Sequence, residues 1–190
     1  AGYRIDFVGS KRTGWAYEAT EGFDPDHEGH PGWKDYMIAD NVYNWLATYQ
    51  PDIVLLHIGT NGLDPSPTDV EKILDEIDRY SKAVTVFLAR IINRRCSTDT
   101  PPCSKAQRTT DFNDNVEAMA LTRIANGDKI VIVDMENGAG IDYRRYPLGD
   151  MSDNVHPSAT GYAKMANAWF DALDAFLSAP NEAPSSHQND

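Results

Sequence analysis

Pro51-Asp52-Ile53-Val54-Leu55-Leu56-His57-Ile58-Gly59-Thr60-Asn61-Gly62 is the stretch that decides the fold. Its apolar run is nearly continuous in Ile, Val and Leu rather than alternating. A strand of that kind is covered on both faces, the habit of parallel sheets flanked by helices. Two more runs share the pattern, at 83–89 and 129–134, and a shorter β-rich run lies at 4–8.

Helical patterns separate these runs. Residues 35–49 precede the quoted strand. Residues 66–81 precede the next and place Val70, Ile73, Leu74 and Ile77 on one face. Ser66 is the expected N-cap there, with Pro67 in the first turn and Asp69 at the positive helix end. Residues 105–125 carry Phe112, Val116, Met119 and Ala120 at helical spacing. Residues 158–178 align Tyr162, Met165, Ala166, Trp169, Leu173 and Phe176 in what reads as a core stripe. Alternating β and α elements predict a three-layer α/β/α fold with a parallel sheet, in one domain over residues 1–178. Residues 179–190 are rich in Pro, Ser, Asn and Gln without periodicity, and read as a linker or frayed tail.

The chain carries 29 acidic residues against 17 Lys and Arg, a net charge of −12. That charge argues against nucleic acid as a partner, because phosphates need a basic face, and against an anionic membrane surface. No apolar run approaches the roughly 20 residues of a membrane span. A neutral polymer or small ester meets no such repulsion. Cys96 and Cys103 bracket Ser-Thr-Asp-Thr-Pro-Pro, a spacing without the paired ligands of a zinc site. They read as a small loop disulfide, with two free thiols as the alternative. A disulfide implies an oxidising compartment and a secreted protein.

In such sheets ligands bind beyond the carboxyl ends of the strands, so the loops there carry the chemistry. Gly59-Thr60-Asn61-Gly62 is one. Gly9-Ser10 opens a second, which reaches His27-Glu28-Gly29-His30-Pro31-Gly32-Trp33. The third comes after residues 129–134 and ends at Asp153-Asn154-Val155-His156. Asp153 can hold the His156 imidazole in one tautomer and stabilise its cation. The imidazole can then carry a proton from a hydroxyl nucleophile to a leaving alcohol. Asn61 can offer an amide N–H, and Gly32 a backbone N–H, to an oxyanion. Each motif also has an ordinary use. Asp-x-x-His before a helix is often a capping turn, and Gly-Thr-Asn-Gly a turn after a strand. His27 and His30 lack an obvious third metal ligand and read as loop hydrogen-bonders or substrate shapers. Trp33 reads as a core or loop anchor, with a sugar platform as the alternative. The chemistry requires no metal and no organic cofactor.

The order of these motifs resembles the SGNH, or GDSL-type, hydrolases. Ile-Asp-Phe-Val-Gly-Ser combined with His-Glu-Gly-His-Pro-Gly-Trp resembles carbohydrate esterase family 3, whose members remove acetyl groups from xylan. The resemblance runs from about residue 3 to residue 177. It implies a flavodoxin-like sheet of order 2-1-3-4-5, Asp153 and His156 as catalytic acid and base, and Gly32 and Asn61 lining the oxyanion hole. Two departures stand out. Gly62 occupies a position where these enzymes usually carry an Asp that braces the loops, which puts local order in question. The Gly-Asp-Ser block that supplies the nucleophile is absent.

By this resemblance residues 4–8 form the second strand of the sheet. What is missing is a whole strand, nucleophile turn and helix ahead of residue 1. A sheet without them has two unpaired edges, which are costly. Three readings stand open. The nucleophile lies in an N-terminal segment of the same protein; or the chain is a non-catalytic relative that binds carbohydrate; or Ser10 or another serine has taken over. Ser10 comes after a strand and a glycine, but the residues beyond it read as loop rather than as the helix whose N-terminus would stabilise charge. The first reading makes the protein a secreted serine esterase. Its substrate is acetylated plant cell-wall polysaccharide, acetyl xylan foremost, or a small acetyl ester. A lipid ester is a further substrate class, though no long apolar lid is visible.

Overall fold

The computed structural model describes residues 3–12, 24–96 and 103–179. The tail expected beyond residue 179 lies outside the described residues. Helices and strands alternate: α1 (Asp35–Tyr49), β1 (Ile53–Leu56), α2 (Thr68–Tyr80), β2 (Thr85–Arg90), α3 (Ser104–Ala125), β3 (Ile130–Asp134) and α4 (Ala159–Ser178). The strands form a parallel sheet of order β1-β2-β3, with Ile53 paired to Thr85 and Val86 to Ile130.

Successive strand residues feed two separate cores. Val54, Leu56, Val86, Leu88, Ile130 and Ile132 pack with α1, α2 and α3, among Leu46, Val70, Ile73, Leu74, Ile77, Phe112 and Val116. Ile53, Leu55, Phe87, Ala89, Val131 and Val133 face α4, with Met165, Trp169 and Leu173. Both faces of the sheet are covered, which is why the strand sequences are continuous rather than alternating. Among the described residues no helix is long and apolar enough to cross a membrane.

The packing leaves no room at Gly59. Its φ is +122°, and a Cβ built there lies 2.3 Å from the Phe112 ring. Gly59→Ala is expected to cost about 3 kcal/mol, combining backbone strain with overpacking. Urea denaturation checks this, and an unchanged midpoint would contradict that packing.

The segment 4–8 departs from its expected role. It joins no strand, and Ile5 and Phe7 are 52% and 43% exposed. It is held instead by scattered polar contacts. The Tyr3 hydroxyl donates to Asp174 at 3.0 Å and meets the Ser178 hydroxyl at 2.6 Å, and the Phe7 amide donates to Asp24 at 2.7 Å. The reason lies in the sheet. Among the described residues no strand pairs with the outer edge of β1, which leaves unfilled the place that the expected order sets between β1 and segment 4–8. Ile53, Val54 and Leu55 on that strand are only half-buried, whereas β2 is buried along nearly its whole length.

Two helices also differ from expectation. α2 begins at Thr68 with Pro67 at the N-cap, and Ser66 sits in the turn before it, where its hydroxyl accepts the Thr68 N–H at 3.3 Å. On α4 the core-facing set is Met165, Ala168, Trp169, Ala172 and Leu173. Tyr162, Ala166 and Phe176 fall to its margins and stay exposed, although Phe176 meets Phe87 edge-on at 5.4 Å. A single helix lying over β2 and β3 buries a narrow face, and side chains rotated off that face remain outside.

Candidate active site

The third expected loop is built on Asp150. Its carboxylate accepts from the Asp142 amide at 2.8 Å, the Thr160 hydroxyl at 2.8 Å and the Lys164 ammonium at 2.6 Å. Its carbonyl accepts the Ser158 amide at 2.7 Å. Fully buried Met151 comes next in the chain. These contacts fix the start of α4 against the loop and set the turn at 153–156 between them.

Within that turn Asp153 does two things. Its Oδ1 accepts the Val155 and His156 amides at 2.7 and 2.8 Å, closing the turn. Its Oδ2 meets His156 Nδ1 at 2.7 Å. The Val155 amide first, then the imidazole, hold the Asp153 carboxyl down to about 2. A carboxylate facing Nδ1 selects the tautomer with its proton there, which leaves the Nε2 lone pair outward. Nε2 has no hydrogen-bond partner among the described residues, and the side chain is 67% exposed. Asp153 thus closes the turn and orients the imidazole at once, but it does not cap α4, whose N-cap is Ser158.

Asn61 and Gly32 meet through the chain between them. The Asn61 amide donates to the Trp33 carbonyl at 3.0 Å, beside Gly32. Gly32 has φ +79°, with open space where a side chain would stand. Its loop is anchored by His30, which stacks between Trp33 and Trp45 at 4.2 and 4.7 Å between ring centroids. His30 Nε2 meets Glu28 at 2.6 Å, and Glu28 also accepts the Ser10 amide and hydroxyl, both at 2.7 Å. Burial pushes the Glu28 carboxyl up, but the Ser10 donors and His30 outweigh it and leave the carboxyl below its ordinary range. The Ser10 hydroxyl is thus engaged by a carboxylate. His27 Nδ1 accepts the Gly29 amide at 3.0 Å. Both histidines serve loop hydrogen bonds, and among the described residues no three His, Cys, Asp or Glu side chains gather as a metal site. At Gly62, Lys34 fills the space toward which a side chain would point, and Arg108 donates to the Leu63 carbonyl at 3.1 Å. The loop is braced without the Asp.

Among the described residues no hydrogen bond joins the Gly32/Asn61 pair directly to the Asp153/His156 pair. The segment after β2 lies between them, and sequence reasoning passed over it. Its base is a buried polar network around Glu136. That carboxylate accepts from Asn93 at 2.6 Å, Thr110 at 2.5 Å, Asn113 at 2.9 Å and Arg90 at 3.1 Å. Asn113 also clasps the Ile91 amide and carbonyl, both at 2.8 Å. The available signal was a charged residue at or just past the end of each of two aliphatic strands, Arg90 and Glu136. Beyond the network, Cys96 and Cys103 form a disulfide with Cα atoms 5.6 Å apart, and Cys103 is the N-cap of α3. His57, just past β1, was also missed. Burial pushes its imidazole down to about 4.

Residues 1–164 match the GDSL-like lipase/acylhydrolase family. A multidomain esterase of Ruminococcus flavefaciens is 25% identical over 179 residues, 80% of this chain and 21% of that protein. A solved family 3 carbohydrate esterase of Clostridium thermocellum is 30% identical with a TM-score of 0.72, over 91% of this chain and 79% of that one. A family 3 carbohydrate esterase of Talaromyces cellulolyticus is 26% identical with a TM-score of 0.73, over 90% and 82%. The chain spans 21% to 55% of the length of the curated relatives it matches. The matched family, the parallel sheet covered on both faces and the order of the site loops agree: this chain belongs to the GDSL-like lipase/acylhydrolase family, the SGNH hydrolases, and resembles carbohydrate esterase family 3.

Proposed function

We propose that this chain is the larger part of a secreted serine esterase domain that removes acetyl groups from plant cell-wall polysaccharide, xylan foremost. The nucleophilic serine is carried on a segment outside these 190 residues. The observation that carries this reading is the 2.7 Å contact from Asp153 to His156 Nδ1 with Nε2 left open. His156 takes the serine proton as the oxygen attacks the acetyl carbonyl. The tetrahedral oxyanion is met by the Gly32 N–H and by the Asn61 amide, turned from Trp33 toward the substrate. His156 gives the proton to the departing sugar hydroxyl, and water repeats the sequence to release acetate. Asp153 stabilises the imidazolium throughout. Nothing in this scheme calls for a metal or organic cofactor.

The β1 edge, unpaired among the described residues, and the exposed segment 4–8 support a strand of the same protein lying between them. Likeness to the family 3 esterases supports the acetyl-carbohydrate substrate, and the disulfide supports an oxidising, extracellular setting. The test uses the protein with its preceding segment, on acetylated xylan and on p-nitrophenyl esters of rising chain length. Acetate release is expected, with acetyl preferred to octanoyl by at least about 100-fold, since even one methylene that the site does not accommodate costs roughly 1–3 kcal/mol. Faster turnover of long chains would move the assignment to lipid esters. Xylan binding without hydrolysis would make it a binding module.

A further inference from the structure

Arg94 and Arg95 touch both halves of the candidate site. The Arg95 amide donates to the Asn154 carbonyl at 3.0 Å, and its Nη1 donates to Asn154 Oδ1 at 2.7 Å. Asn154 lies inside the turn, directly after Asp153. Arg94 Nη2 donates to the Thr60 carbonyl, one residue before Asn61. Among the described residues neither guanidinium has a carboxylate within ion-pair reach, unlike Arg79, Arg90, Arg123 and Arg144, which each have at least one. Burial also works against the Arg94 charge. Two cations are held where no carboxylate attracts them, and what they hold in turn is the oxyanion loop and the acid–base turn.

We propose that Arg94 and Arg95 are positioning residues that clasp the oxyanion loop to the acid–base turn. The clasp rests on the assignment of Asn61 and His156 to one active site. Its footing is rigid on both sides, with the Glu136 network before it and the Cys96–Cys103 disulfide after it. The turn itself is exposed, closed by its own hydrogen bonds and held on the α4 side by the Asp150 contacts, and Arg95 ties it to the segment after β2. A misplacement of about 1 Å between reacting groups costs on the order of 100-fold in rate. Arg94 additionally sets a positive charge near the amide that meets the oxyanion, where fixed charge is most effective.

The test compares Arg95→Ala, Asn154→Ala, the double variant, Arg95→Lys and Arg94→Gln in the protein with its preceding segment. Asn154 is exposed and Arg95 half-buried, and neither belongs to the two cores, so their removal leaves the fold intact. Two quantities are read: kcat and KM on an acetyl ester, and hydrogen exchange at the Val155 and His156 amides that Asp153 protects. Arg95→Ala and Asn154→Ala are each expected to lower kcat about tenfold with KM within about twofold, and the double variant to be no worse than either, as for a coupled pair. Both should speed amide exchange, and Arg95→Lys should restore part of each loss. Arg94→Gln should lower kcat without changing exchange. Unchanged kcat in either Arg variant, additive losses in the double variant, or unchanged exchange in Arg95→Ala would overturn the clasp. If the unaltered protein is inert on acetyl esters, the functional proposal fails, and amide exchange alone decides the clasp.

Discussion

Asp153→Asn is expected to lower kcat by on the order of 10^4-fold with little change in KM, the size seen when the acid of a Ser-His-Asp triad is made neutral. The substitution separates the two duties of Asp153. An Asn Oδ1 can still accept the Val155 and His156 amides at 2.7 and 2.8 Å, so the turn keeps its closure. The Nδ2 that replaces Oδ2 is a donor, however, and it now faces His156 Nδ1. The imidazole answers by moving its proton to Nε2, the nitrogen that must accept one. Stability should change by less than about 1 kcal/mol, because the carboxylate is solvent-exposed and its ion pair is screened. Kinetics alongside a thermal melt separate the two effects. Activity retained within about tenfold would reduce Asp153 to a turn-closing residue.

The second large effect concerns His57 and acid. Burial lowers this imidazole to about 4 from an ordinary 6.5. The unfolded chain therefore binds a proton that the folded chain refuses throughout the interval between those values. Stability is complete above the unfolded value, declines as pH falls from about 6.5 to about 4, and levels off below. The residue is only half-buried, at the end of the strand whose outer edge is open. Its full shift is therefore discounted, leaving about 2 kcal/mol lost across the window. Denaturation midpoints at about pH 7 and about pH 5 should differ accordingly, and His57→Gln should remove most of the difference. The upper part of that window lies above the range where carboxylates titrate, and His57→Gln isolates the share of this ring. Equal pH dependence in both proteins would show that the ring is solvated. His57 Nε2 accepts the Ile92 amide at 3.4 Å, so protonation also disturbs the segment leading to Arg94 and Arg95.

The sequence was legible wherever a residue's neighbours in the chain determine its surroundings. The continuous aliphatic runs of β1, β2 and β3 announced strands covered on both faces, and Val70, Ile73, Leu74 and Ile77 announced the buried face of α2. The turn at 153–156 was legible for the same reason, since one side chain and two amides close it locally. Segment 4–8 has strand composition but no strand structure, because a ladder requires a partner and composition alone does not provide one. The face of α4 was misjudged by a rotation that only the sheet beneath it decides. The Glu136 network and the Arg94 and Arg95 contacts stayed hidden for a different reason. Their partners lie 22 to 59 positions away, and a charge beside an aliphatic run looks like a solvated end until the other side of the contact is seen.

In the proposed esterase Asp153 and His156 serve a serine outside these 190 residues. Treating the protein and its preceding segment with a fluorophosphonate ester, then mapping the modified residue by mass spectrometry, checks this. One equivalent of label on a serine ahead of Ala1 is predicted, slowed by at least about 100-fold in His156→Ala, because only a base-activated hydroxyl attacks phosphorus quickly. Label on Ser10 or any other serine within the 190 residues, or labelling indifferent to His156, would contradict it.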